Sequence, residues 1–461
     1  MNAQSYFRSS FPVRKHLLTI RTEALGVWSM CWPIVVTMFV TSFNDTINAK
    51  AASILGAHSQ TAVALVDQIN FNLVLFLMAM GIGVNAILSR ARGANDAVQC
   101  RSVLQSALQL SLAVGALMAL LSVTLSPRIL PLLIQDSDVR AIGNTYTIFG
   151  ALHLFPYAVI CMLTASMRSL GDAKTPMYGV LLSGLITCTL SMSVALVPQL
   201  RDLFGVSGIG IASAIGAVSG SWLIISRLRQ RDYGINLRIF GLVPLDFAKQ
   251  VCAIGVPAGL QRLSWSLSLI GQLAVVAFVG LPDTVSTALT VGLRVESFAF
   301  LPTWAASFGV AVLVGNALGA GDRDKAFTIG WVTTALTFVI TLLLGTTLFV
   351  FAHALASFMS DDPTTVSELT TYLKAAAFWQ PLLGVINPLT GAMQGAGETR
   401  FAMWSSVFTC WVVRIPVGLA LALYTTLGGL AIYLSVGLSI ALNFALIVSK
   451  YQRKQWLDTK V

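Results

Sequence analysis

The sequence predicts an all-α membrane protein: twelve transmembrane helices in two six-helix lobes related by a pseudo-twofold axis along the membrane normal. Three observations predict it. Of 461 residues, 56% are hydrophobic and only 10% charged, too little polar surface to face water throughout. The apolar residues gather into twelve continuous runs, each long enough to cross a bilayer on a yardstick of ~20 residues per span. Two motif blocks also recur at a single offset. Residues 83–96 (GVNAILSRARGAND) align with 309–322 (GVAVLVGNALGAGD), and 164–177 (TASMRSLGDAKTPM) with 390–403 (TGAMQGAGETRFAM), both at a shift of 226. Either match alone is weak in an Ala- and Gly-rich chain, but two at one offset indicate duplication. Six helices per half is an even number, so both halves enter the membrane from the same side and the repeat is parallel. Duplication within a membrane protein points to transport.

In chain order the runs lie at 24–52, 61–89, 100–125, 140–167, 176–198 and 207–228, then 247–279, 285–317, 325–352, 366–394, 402–424 and 428–449. Short polar or Gly/Pro segments separate them. Their length and continuity exclude a transmembrane β-barrel, whose strands alternate apolar and polar residues over ~10 positions. The resulting organisation is a cytoplasmic N-terminal segment (1–23), a first lobe (24–228), a cytoplasmic linker (229–246), a second lobe (247–449) and a cytoplasmic tail (450–461). Proline recurs inside the runs at Pro33, Pro156, Pro257, Pro302, Pro381, Pro388 and Pro416. Each removes an amide donor, bends its helix and frees a carbonyl. Pro156 and Pro381 sit one residue from the repeat offset and Pro33 and Pro257 two from it, so equivalent kinks are expected in both halves.

Lys and Arg fix the orientation. Arg8, Arg14, Lys15 and Arg21 before the first run, Arg90, Arg92 and Arg101 after the second, Arg227, Arg229, Arg231, Arg238 and Lys249 at the midpoint, and Lys450, Arg453, Lys454 and Lys460 at the end all fall on one side. Basic loops stay cytoplasmic, so both termini are expected there, in a multi-pass protein of the cell (inner) membrane. The same topology accounts for the net charge of +10 without a nucleic-acid partner. No signal peptide is expected, since residues 1–23 lack a continuous apolar run. The six cysteines show no CxxC spacing and the four histidines are isolated. With no P-loop, GxSxG or HExxH present, the chain reads as neither an enzyme nor a metal or cofactor protein. Transport must then draw on an ion gradient or on the substrate's own gradient.

An ionisable group inside a span costs roughly 2.5–3.5 kcal/mol or more, so each is a functional candidate. In the first run Thr37, Thr41, Asn44, Asp45 and Asn48 recur at helical spacing and form one polar stripe. Such a stripe cannot face lipid, and Asp45 within it reads as a carboxylate that binds a proton or cation. Asp67, among Gln68, Asn70 and Asn72, begins the second run at a similar depth. In the second half Glu296 lies mid-run, with Arg262 and Gln261 at comparable depth and Arg294 close in sequence. A buried ion pair is the expectation for Glu296, and a structural or snorkelling role the expectation for Arg414.

DTINA at 45–49, GVPAGLQRL at 255–263, GLRVESFAFLP at 292–302, LVGNALGAGD at 313–322, QGAGETR at 394–400 and VVRIP at 412–416, with the two repeated blocks, resemble the multidrug and toxic compound extrusion (MATE) transporters. The resemblance runs in order through nearly the whole chain. It implies two lobes in a V around a central cleft and alternating access between them. It also implies a secondary antiporter exporting small amphipathic cations, drugs or metabolites, against inward H⁺ or Na⁺. The family's acidic residue in the first helix matches Asp45, or Asn48 by the spacing to Gly56. In the fifth helix, Thr187 and Ser191 stand where proton-coupled members carry Asn and Asp. The acids that sodium-coupled members place in helices seven and ten are absent, apart from Glu368 at the outer end of helix ten.

The expectation is therefore H⁺ coupling through Asp45 and Asp67, supported by Asn44, Asn48, Thr41, Thr187 and Ser191. A substrate cleft in the second half is expected to be lined by Glu296, Arg262 and Gln261. No cofactor beyond the coupling ion, membrane lipid as surroundings and a monomeric state complete the reading. A lipid-linked-precursor flippase of the same superfamily is the alternative, disfavoured by acidic or neutral candidate residues where an anionic lipid would need basic ones.

Overall fold

A computed structural model describes residues 4–230 and 243–459, with side chains from Thr22 onward. The linker expected at 229–246 and the N-terminal segment expected at 1–23 lie largely outside these residues, as do the last two positions of the tail. Twelve long helices follow one another: α1 Gln4–Leu55, α2 Ala57–Gly93, α3 Ala97–Leu133, α4 Ser137–Ser169, α5 Lys174–Leu196, α6 Ser207–Gln230, α7 Leu245–Val279, α8 Asp283–Gly319, α9 Arg323–Val350, α10 Pro363–Gly395, α11 Arg400–Tyr424 and α12 Gly429–Gln452. Among the described residues, eleven of them are long and apolar enough to cross a membrane. The twelfth, α10, has the length but carries Thr370, Thr371, Gln380, Asn387, Thr390 and Gln394. It tolerates them because it is an interior helix, packed most extensively on α8 and also on α9 and α12. The protein is a multi-span integral membrane protein.

The duplication is visible in the helix bounds. α8 begins and ends at the repeat offset from α2, and α10 does the same relative to α4. Punctuation repeats with them. Asp96 and Asp322 each cap the next helix by accepting the amide of the residue three further on, both at 2.9 Å. Asp136 and Asp362 cap α4 and α10 in the same way. Asn95 stands with φ 55° where its counterpart Gly321 has φ 79°, as only glycine and the short polar residues readily do. The Val139 and Asp138 amides hold the Asp136 carboxyl below the ordinary carboxylate range, and the Thr364 and Thr365 hydroxyls, with the Thr365 amide, hold that of Asp362 at about 2.

The chain divides into two compact units that differ from lobes cut at the polar linker. The first comprises Pro33–Leu263; the second comprises the residues up to Trp32 together with those from Ser264 onward. Each unit thus takes the starting segment of a helix whose remainder lies in the other unit. In the first unit, the Cβ that Gly83 lacks would come within 2.6 Å of the Val251 carbonyl oxygen on α7. In the second, its repeat partner Gly309 meets the Cys31 sulfur of α1 at 2.7 Å in the same sense. Val27 and Cys31 accordingly join the core that Val310, Val314, Leu369 and Ile432 build in the second unit.

Pro156, Pro257, Pro302, Pro381 and Pro388 lie inside helices that run on without a break, and only at Pro416 does the helix type change. The residues before it, Phe408–Arg414, run as a π-helix, a wider turn that accommodates the missing amide. The chain closes on an aromatic plug. A short 3₁₀ turn, Gln455–Asp458, places Trp456 fully out of solvent, stacked on Tyr451 at 4.8 Å and donating its indole N–H to the Tyr451 carbonyl. Asp458 pairs with Arg323 at 2.8 Å, and Lys325 pairs with Glu23 at 3.2 Å.

Candidate functional site

Each lobe holds a carboxylate gripped by a tyrosine. In the first lobe, Tyr146 of α4 donates to Asp67 Oδ1 of α2 at 3.0 Å. The tyrosine is buried while the Asp67 residue keeps an exposed side. Asp45 of α1 is likewise exposed, and no residue among those described hydrogen-bonds its carboxylate. Asp45 and Asp67 lie within each other's electrostatic reach, and Tyr146 and Tyr157 lie in the field of Asp45. Two like charges repel when both are ionised, and a proton on either carboxyl removes that repulsion.

The polar stripe of α1 splits into two roles. Thr37 and Thr41 turn their hydroxyls back onto carbonyls of their own helix, Ile34 and Thr37 respectively, so Thr41 makes no bond across helices. Asn48 is the cross-brace. It accepts from Ser191 Oγ of α5 at 2.8 Å and donates to Ser213 Oγ of α6 at 3.3 Å. Asn44 accepts from the Cys188 thiol of α5 at 3.1 Å. Thr187 faces the glycine surface at Gly216 rather than α1; a Cβ there would strike its hydroxyl. Of the residues expected around Asp45, Asn44, Asn48 and Ser191 are thus joined in one α1–α5–α6 network, while Thr41 and Thr187 serve their own helices or their packing. Asn70 accepts from Ser122 of α3 at 2.7 Å.

In the second lobe Glu296 of α8 is 2% exposed, and so does not line an open polar cleft as expected. Gln261 and Arg262 belong to the first compact unit, Glu296 to the second. In place of an ion pair its partners are three neutral donors from one helix, α10: Tyr372 Oη to Oε2, and Trp379 Nε1 and Gln380 Nε2 to Oε1, each at 2.7 Å. Arg414, at the end of the π segment, is 3% exposed and so does not snorkel; its Nε donates to Ser439 Oγ at 2.9 Å and its Nη1 to Ser268 Oγ at 3.0 Å. It acts on Glu296 through its field. Tyr433 of α12 donates to Glu368 at 2.9 Å, and its ring packs edge-on against Tyr372 at 5.2 Å.

Sequence reasoning found the carboxylates but not the groups that hold them. Tyr146, Tyr372, Trp379 and Gln380 fall in no motif that would single them out. A signal was present, because Tyr372 stands at the repeat offset from Tyr146.

Comparison with known proteins places this geometry. The MatE family model matches residues 33–193 and 259–420, two segments whose starts are separated by the repeat offset. The chain is 24% identical over 455 residues to the probable multidrug resistance protein YoeA of Bacillus subtilis, covering 95% of this chain and 96% of that one. It is 21% identical to the probable multidrug resistance protein NorM of Thermotoga maritima, covering 96% and 93%. Its fold matches the Vibrio cholerae MATE transporter VcmN with a TM-score of 0.86 at 20% identity, covering 95% of this chain and 98% of the other.

Proposed function

Because the chain belongs to the MatE family, we propose that it is a secondary antiporter that exports amphipathic, cationic drugs or metabolites in exchange for inward protons. The observation that carries the coupling is the first-lobe pair: Asp67 held by the Tyr146 hydroxyl, with Asp45 close enough to repel it. A proton taken up there removes one of two like charges; a cationic substrate neutralises the same pocket, so the two compete. Competition for one site is what exchange requires, and alternating access of the two lobes converts it into counter-transport. Export of drugs is supported by the names of YoeA and NorM, both probable multidrug resistance proteins. The basic loops support a cell-membrane protein with both termini cytoplasmic, and the proposed exchange requires neither a cofactor nor a second subunit.

Sodium is disfavoured on the residues. From Pro257 to Gly280 α7 carries one charged side chain, Arg262, and no acid.

The test is ethidium efflux from proteoliposomes under an imposed pH gradient or an imposed Na⁺ gradient. Wild type is expected to respond to the pH gradient, with Asp45→Asn and Asp67→Asn each losing most of that response. Full pH-driven efflux by Asp45→Asn would remove the proposed coupling site, and efflux driven by sodium alone would reverse the ion.

A further inference from the structure

The repeat makes a second assignment. At its offset Glu296 corresponds to Asn70, Tyr372 to Tyr146 and Trp379 to His153. Three positions that hold an amide, a phenol and an imidazole in the first lobe hold a carboxylate and two of its three donors in the second. We propose that the Glu296 cage is a second proton-binding site, distinct from the Asp45–Asp67 pair and loaded independently of it. The proposal rests on the reading that a proton gradient drives this protein, but its own test does not depend on transport.

A carboxylate this deeply buried is costly as an anion unless a cation or several donors meet it. The donors here are neutral, and Arg414 commits two of its nitrogens to serines. Arg414 is thus a countercharge at a distance and not a bonded partner, so no cation is hydrogen-bonded to the carboxylate where a proton would sit. The cage also satisfies both protonation states. As an anion, Glu296 accepts three bonds. As an acid it must donate one, and an acceptor is waiting: Gln380 Oε1 is buried without a partner. Rotating that amide exchanges Nε2 for Oε1 at the same 2.7 Å contact, turning a donor into an acceptor. A purely structural cage needs no such reversible member.

The same chemistry rules against a metal cation. Hard cations need oxygen lone pairs, whereas the Trp379 indole can only donate.

The charged and titratable groups around the cage are few. α10 supplies Tyr372, Glu368 and Lys374, the last drawn over the Phe349 ring at 5.9 Å. α11 supplies Arg414 and α12 supplies Tyr433; α9 between Lys325 and its end, and α7 from Ser264 on, supply none. Glu368, half-buried one turn before Tyr372 and bonded to Tyr433, marks the end of α10 from which a proton would arrive.

The experiment counts protons. Purified full-length protein is shifted from alkaline to acid buffer and uptake is read with a pH-indicator dye, for wild type, Glu296→Gln, Gln380→Met and Asp67→Asn. Glu296→Gln is expected to take up one proton fewer per molecule than wild type. Gln380→Met, which deletes the reversible acceptor, is expected to keep that proton but bind it at more acid pH. Asp67→Asn should leave the Glu296 increment intact, and dicyclohexylcarbodiimide, which modifies protonated carboxyls in apolar surroundings, should label the Glu296 peptide more at acid pH. Equal uptake by wild type and a folded Glu296→Gln would overturn the proposal; should Glu296→Gln not fold, absence of any Glu296 labelling alongside an unshifted Gln380→Met titration would do so. Loss of pH-driven ethidium efflux with the uptake difference intact would defeat the transport reading and leave this site standing.

Discussion

The carboxylate of the first lobe is held by one bond and open on one side; that of the second is held by three and closed. Asp67 has the Tyr146 hydroxyl, while Glu296 has Tyr372, Trp379 and Gln380. The tyrosines are equivalent in the repeat, yet the acids are offset: Glu296 corresponds to Asn70, and Asp67 lies three residues, about one helical turn, earlier. Duplication therefore preserved the donor and let the acceptor slide along the facing helix. An acid one turn nearer the helix start keeps an exposed side; one turn deeper it is closed over by its donors.

The largest test of this contrast is removal of each acid. Glu296→Ala strands three buried donors, at a cost of about 3 kcal/mol or more. Asp67→Ala strands one hydroxyl beside an exposed edge and should cost about 1 kcal/mol. Thermal unfolding in detergent reads both, and equal losses would erase the distinction between an open and a closed site.

Next come the helix crossings that complete each lobe. A methyl at Gly83 meets a backbone carbonyl, that of Val251, whereas one at Gly309 meets the movable Cys31 sulfur. Overpacking costs about 1–3 kcal/mol, so Gly83→Ala should fall near the top of that range and Gly309→Ala near the bottom. A reversed order in the same unfolding assay would mean that the first lobe's crossing is the more compliant.

The Asn48 brace exists in one lobe only, its repeat position being Ala274. Asn48→Ala loses the bonds to Ser191 and Ser213 and should lower stability by about 1–2 kcal/mol. Ala274→Ser should leave it unchanged.

The smallest effect concerns the matched caps. The Asp362 carboxyl titrates at about 2 in the folded chain, below the ~3.9 of a free aspartate. Its contribution is therefore complete above about pH 4 and disappears as pH falls through 2. Asp362→Ala should lower the unfolding temperature at neutral pH and flatten its decline in acid. Asp136→Ala should do the same more weakly, because fewer donors meet that carboxyl.

Much of the fold was legible from the repeat and the apolar runs. The bounds of α2 and α8 follow from GVNAILSRARGAND and its copy, since glycine, asparagine and aspartate stop one helix and cap the next. Asp45, Asp67 and Glu296 were legible because a carboxylate within an apolar run is too costly to be there for packing alone. Their partners were not, because a tyrosine or tryptophan in a span serves packing as often as hydrogen bonding, and only the facing helix distinguishes the two. The ion pair expected for Glu296 failed for that reason: Arg294 is exposed on the same helix, while neutral donors one helix away reach the carboxylate. The exchange of helix ends was equally hidden. A polar linker shows where the chain leaves the bilayer, and packing shows where a core closes.

That exchange sets an order of assembly. Val27 and Cys31 precede the rest of the first lobe in the chain, yet they pack with residues of α8 and α10, which lie beyond that lobe. The stretch of α1 around Val27 and Cys31 can complete its packing only once α8 and α10 have followed the first lobe. Contacts so distant in sequence form slowly. A stretch that precedes the first lobe in the chain is thus among the last to find its packing.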